Sequence, residues 1–204
     1  MKRMNCIHPR NVVKFMRIFA EQVCETGNIM YYNGDEILNP EDDILDWEFG
    51  DAIYYPCEVT LKKRDRFAYY IRDDDADSNV VISYNFEELF CEGSKEFRQN
   101  FVSQCPMAKG FADITIVLLH ELGHAATNFN EDILNFDRAT ALKNLRETWA
   151  ATHSENERGI NFEYFKLLDE TAATNWAIGW LNNANNRKIA KTFEKKFFSC
   201  FAID

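Results

Sequence analysis

His120 and His124 stand four positions apart, with Glu121 directly after the first, in the run His120-Glu121-Leu122-Gly123-His124. On a helix, that spacing puts two side chains about 40° apart around the axis and about one turn apart along it, so both imidazoles reach a single ion. Glu121 then points to the neighbouring side of the same cleft, where its carboxylate can take a proton from a metal-activated water. It reads as a general base, not a ligand. Burying two imidazoles and a carboxylate together without a metal would be costly, so the pattern calls for an ion, and zinc (Zn2+) suits this donor set.

A catalytic zinc site uses three protein ligands and keeps one position open. The metzincin pattern would carry its third His where this chain has Asn130, which excludes that subclass. The third ligand must come from elsewhere, and Glu170 is the outstanding downstream acid. Ala173, Thr174 and Ala177 share its helix face, and side chains that small let its helix pack tightly on the motif helix. Asp169 is the first competitor, with a shorter arm and a direction turned away by about 100°. Glu163, Glu147 and His153 follow, His153 as a candidate oxyanion donor at a helix end.

The run HELGH (His120 to His124) and the downstream E-x-x-A-x-x-W-A (Glu170, Ala173, Trp176, Ala177) together resemble the gluzincin-type pattern of the ImmA/IrrE-like metallopeptidases of phages and mobile elements. The resemblance spans roughly residues 114–181. It implies zinc held by His120, His124 and Glu170, with Glu121 catalytic. Thermolysin-like relatives place an Asp four residues after the ligand Glu, where this chain has Thr174, and the outer partner of the histidines is left unassigned.

Those residues need elements to hold them. The segment 111–129 is apolar nearly all round through Ile114, Ile116, Val117, Leu118 and Leu119, which predicts a helix running through the core. Gly123 on it would permit close approach of another backbone. Upstream, Val12, Val13, Phe15, Met16, Phe19, Ala20 and Val23 recur at helical spacing between Pro9 and Gly27. Residues 31–50 read as a loop. β-Formers return over 53–86, broken by the Asp-rich turn 73–79, and predict three or four antiparallel strands, with Val80 to Tyr84 as the candidate edge for a bound peptide. Residues 92–104 read as a polar stretch. Further helices are expected over about 137–152, 162–182 and 187–198, and the insert 128–161 should border the cleft.

The expected fold is therefore α+β and zincin-like, with a small, mostly antiparallel sheet packed on the core helix that carries the motif. One domain over 1–204 is expected, sheet-containing to about residue 105 and helical from about 106. With 46% apolar residues and 17 Phe, a chain of 204 residues can bury a substantial core. A net charge of -10 offers no broad positive field for nucleic acid. No apolar run reaches the length of about 18 residues that a membrane span requires, and the start lacks an export signal. Six scattered cysteines without C-x-x-C spacing point to free thiols in a reducing cytoplasm. The expected activity is hydrolysis of a protein or peptide substrate. The alternatives are a regulatory, protein-binding module with a structural or vestigial metal, which has no need of Glu121, and a hydrolase acting on other amides.

Overall fold

The computed structural model describes residues 9–27, 92–127, 130–152 and 163–203, and at 4–6, 48–49, 52–53, 57–62, 68–72 and 78–83 the backbone trace alone. The first helix, α1 (Pro9–Gly27), buries Val12, Met16, Phe19, Ala20 and Val23, the apolar stripe that its spacing predicts. Opposite it lies the last helix, α7 (Ala184–Phe198), which contributes Ala190, Phe193 and Phe197. Phe19 stacks on Phe193 with ring centroids 4.3 Å apart and meets Trp180 edge-on at 6.0 Å. Each such fully buried side chain contributes about 1.5–3 kcal/mol through removal from water.

Helix α2 (Glu92–Gln104) occupies the segment that reads as merely polar. Its Phe97 and Phe101, one turn apart, are buried and supply the apolar face that its many polar neighbours conceal in the sequence. A single 3-10 turn, Pro106–Gly110, then leads into α3 (Asp113–Thr127), the motif helix. Every residue from Ile114 to Gly123 on α3 is buried, as expected of a helix apolar on all sides. Its start is pinned by Glu194 of α7, whose Oε1 accepts from the Ala112 N–H at 2.5 Å and from the Thr115 hydroxyl at 2.9 Å. After the short α4 (Glu131–Leu134) comes α5 (Arg138–Thr152), which buries none of its residues. Helix α6 (Leu168–Asn182) lies along α3.

Gly123 marks the crossing of α3 and α6. A Cβ built there would lie 2.4 Å from the Ala173 carbonyl oxygen and 3.0 Å from its Cα, and a backbone cannot turn aside as a side-chain tip can. Gly123→Ala should therefore destabilise the protein by about 1–3 kcal/mol through overpacking, despite the roughly 1 kcal/mol by which Ala exceeds Gly in helix propensity. Denaturant unfolding of the metal-free protein measures it. An equal or raised midpoint would mean that the helices do not meet there.

The expected α+β fold with a mostly antiparallel sheet is corrected. Where side chains are described, the chain is 87% helical, and α1, α2, α6 and α7 pack against α3, as do the backbone traces 68–72 and 78–83. The β-forming composition over 53–86 is a local signal, and what covers a core helix is decided by tertiary packing that such propensities do not encode. The backbone traces in that region differ from the expectation too. Cys57–Lys62 runs parallel to Ser78–Ser83, and only Ala68–Arg72 pairs with it antiparallel. Ser78–Ser83 lies between the other two, so the segment expected at an edge has both sides taken.

The helix expected over 162–182 starts at Leu168, and the last one starts at Ala184 because the Asn183 side chain accepts from the Asn185 N–H and caps it. Of the expected loop 31–50, residues 31–47 and 50 lie outside the described residues, while Glu48–Phe49 pairs with Ala52–Ile53. Of the expected turn 73–79, residues 73–77 lie outside them, and Ser78 and Asn79 belong to the strand. Cys24, Cys105 and Cys200 are buried and form no disulfide, while the side chains of Cys6, Cys57 and Cys91 lie outside the described residues. No helix among the described residues is long and apolar enough to cross a membrane.

Candidate metal centre

Tight packing of α6 on α3 brings three side chains to one point. One potential ligand atom from each of His120, His124 and Glu170 lies within 4.8 Å of the others, in a buried position that could hold a metal ion. The Oε2 atom of Glu170 is 3.0 Å from Nε2 of His120 and 3.6 Å from Nε2 of His124. The two imidazole rings meet edge-to-face at 4.8 Å, as i and i+4 side chains on one helix do. Glu170, the third candidate ligand inferred from sequence, thus lies beside both histidines.

Behind the ligands, His120 Nδ1 lies 3.2 Å from the Thr174 hydroxyl, and the Phe97 ring packs against the same imidazole at 4.9 Å. Thr174 is one turn beyond Glu170, so a single face of α6 supplies both a candidate ligand and the outer partner of a histidine. When Nδ1–H donates to that hydroxyl, the Nε2 lone pair faces the Glu170 carboxylate. The other tautomer instead places Nε2–H against that carboxylate, a hydrogen bond of 3.0 Å, and a metal ion would take the place of this proton. For His124, burial outweighs the attraction of Glu170 and pushes its pKa below the usual imidazole value, which favours the neutral form a metal needs.

Burial acts oppositely on the two glutamates. Desolvation pushes Glu121 up to about 7, a rise tempered by the nearby His120 and Arg138 and reinforced by Glu170. Desolvation also acts to raise Glu170, but hydrogen bonds from the two histidines and their charge outweigh it and hold this carboxyl well below the usual range. Neighbouring carboxyls are thereby split into an anion fixed between the histidines and a group poised near neutral pH. Such a split suits one to bind a cation and the other to exchange a proton.

Arg138, at the start of α5, was not foreseen from sequence. Its guanidinium reaches Asp169 through NH1 and, through NH2, both the Tyr164 hydroxyl and Oε1 of Glu170, the last at 2.7 Å. Its Cζ also lies 5.4 Å from the centroid of the Tyr164 ring. Burial first, and then the Glu170 carboxylate, hold the Tyr164 phenol above its usual pKa, so it stays a donor. Arg138 comes from the insert, which borders the site as expected, although nothing local in its sequence marks this one residue out.

The competing acids fall elsewhere. Asp169 turns to Arg138 rather than to the histidines. Glu163 pairs with Lys166, and Glu147 is exposed on α5 beside Lys143. His153 lies outside the described residues. No protein-family model matches this chain, and neither does any curated protein or solved structure.

Proposed function

We propose that this protein is a zinc-dependent peptidase, with His120, His124 and Glu170 as metal ligands and Glu121 as general base. One observation carries most of the weight: two imidazole nitrogens and one carboxylate oxygen converge at a buried position, at 3.0 and 3.6 Å. Ligand atoms around a tetrahedral zinc stand about 3.3 Å apart, which those separations straddle. Among the described residues the cluster holds three N or O donors, whereas a purely structural site would be closed by a fourth protein ligand. The residues present therefore fit a catalytic zinc.

When bound, the metal supplies Lewis acidity, polarising a carbonyl and lowering the pKa of water towards 7. The chain's own residues do the rest. Glu121, held near neutrality by burial, takes a proton from the attacking water and delivers it to the leaving amine nitrogen. Thr174 and Phe97 fix the ring of His120, and Arg138 spans the carboxylates of Glu170 and Asp169. Peptide as the substrate class rests on the likeness of HELGH and E-x-x-A-x-x-W-A to the ImmA/IrrE-like metallopeptidases. A cytoplasmic setting fits the six scattered cysteines without C-x-x-C spacing and the buried thiol of Cys105, which is in no disulfide.

The test is cleavage of a peptide library by the purified protein. Hydrolysis should stop on chelation and return with added zinc. Cleavage that survives chelation would contradict a metal-dependent mechanism.

A further inference from the structure

A carboxylate that ligates a metal can offer one oxygen or both, and which it offers decides whether a position stays open for water and substrate. In this protein the two oxygens of Glu170 have different partners. Oε2 faces both histidines, at 3.0 and 3.6 Å, whereas Oε1 accepts from NH2 of Arg138 at 2.7 Å. The other arm of the same guanidinium, NH1, is held by Oδ2 of Asp169. A planar fork anchored at both prongs cannot swing with Glu170, so it holds Oε1 away from the metal side. Arg138 is also the outermost member of the group, with its side chain 38% exposed against 4% for Glu170, so it covers that carboxylate from the solvent side.

We propose that Arg138 is a positioning residue that restricts Glu170 to one-oxygen ligation and so keeps a coordination position open. This inference rests on the zinc site proposed above and adds to it the control of its geometry. Asp169 completes the device from the helix that carries Glu170. Among the described residues its buried Oδ1 has no hydrogen-bond partner, and Arg138 is the group that pairs with this carboxylate there. Arg138 thereby bears on the metal's coordination without itself being a ligand.

The experiment compares metal-free wild type, Arg138→Met and Arg138→Lys, each loaded with Co2+ for its visible absorption spectrum and titrated with zinc against a chromophoric chelator. Wild type should give the intense bands of four-coordinate cobalt. In Arg138→Met, freed Oε1 should join the metal, weakening those bands as coordination expands, and zinc affinity should fall about 10–100-fold, as for other outer partners of ligands. Arg138→Lys restores the charge but one contact only, and should lie between the two.

Identical spectra in all three proteins would overturn the inference. So would an affinity loss with an unchanged spectrum and a lower unfolding midpoint of the metal-free variant, because that pattern belongs to charge compensation alone. Wild type that binds neither Co2+ nor zinc would instead defeat the metal site itself, and the wild-type control reveals that case directly.

Discussion

Glu121→Gln should abolish peptide hydrolysis while zinc and the fold are retained. The amide is nearly isosteric with the carboxylate, so the buried site on α3 should accept it. It cannot accept a proton at neutral pH, so activation of water is lost. The three ligands remain untouched. The loss should fall on kcat and on kcat/KM together, by at least about 10²-fold, because the base acts in the transition state and not in holding the substrate. In the metal-free protein the substitution should also remove a pH dependence. Burial raises the pKa of Glu121 from 4.5 to about 7, so this group costs stability progressively as pH rises through that interval and it ionises. The Gln variant lacks that decline. Equal cleavage by wild type and variant at matched zinc content would mean that the hydrolysis arises elsewhere.

The second large effect concerns the metal. His124→Ala or Glu170→Gln should each weaken zinc binding by more than the roughly 10–100-fold that follows loss of an outer partner. Zinc should stabilise the wild type by about 2.7 kcal/mol when present at about 100 times its Kd, and should give little of this to either variant. Glu170→Gln removes both the donor that faces the two histidines and the anion that pairs with Arg138. Asp169→Asn should cost less than Glu170→Gln, since Asp169 reaches Arg138 and not the histidines. Thermal melts of the four proteins with and without zinc read all of this. Greater loss in Asp169→Asn than in Glu170→Gln would place the third ligand one residue off.

What could be foreseen from the sequence divides by range. The candidate ligands on α3 follow from a four-residue spacing within one helix, and the burial of α3 follows from its apolar run through Leu118 and Leu119. Glu170 was reachable too, because Ala173 beside it marks a face made for close helix packing, and Gly123 meets Ala173 at that point. Thr174 lies on the same face, at the position four residues after Glu170 where thermolysin-like relatives carry an Asp, and its hydroxyl takes the outer place beside His120.

Arg138 belongs to another helix, and its ties to Tyr164, Asp169 and Glu170 are tertiary, with no local spacing to announce them. Phe97 and Phe101 were hidden for a different reason. Two aromatics one turn apart are a weak periodic signal among charged and amide neighbours, so the segment of α2 reads as merely polar. The expectation of a mostly antiparallel sheet was overturned because β propensity describes single segments. It says neither that Cys57–Lys62 will run parallel to Ser78–Ser83 nor that helices will cover the described part of the core.

The wild-type arm of the zinc titration bears most directly on the central claim, that α3 and α6 together build a metal centre. Metal-free protein should take up one zinc per chain, and the X-ray absorption spectrum of the loaded protein should show nitrogen and oxygen neighbours at about 2.0–2.2 Å with no sulfur. Failure to bind zinc, sulfur in the coordination shell, or undiminished uptake after His124→Ala would contradict it.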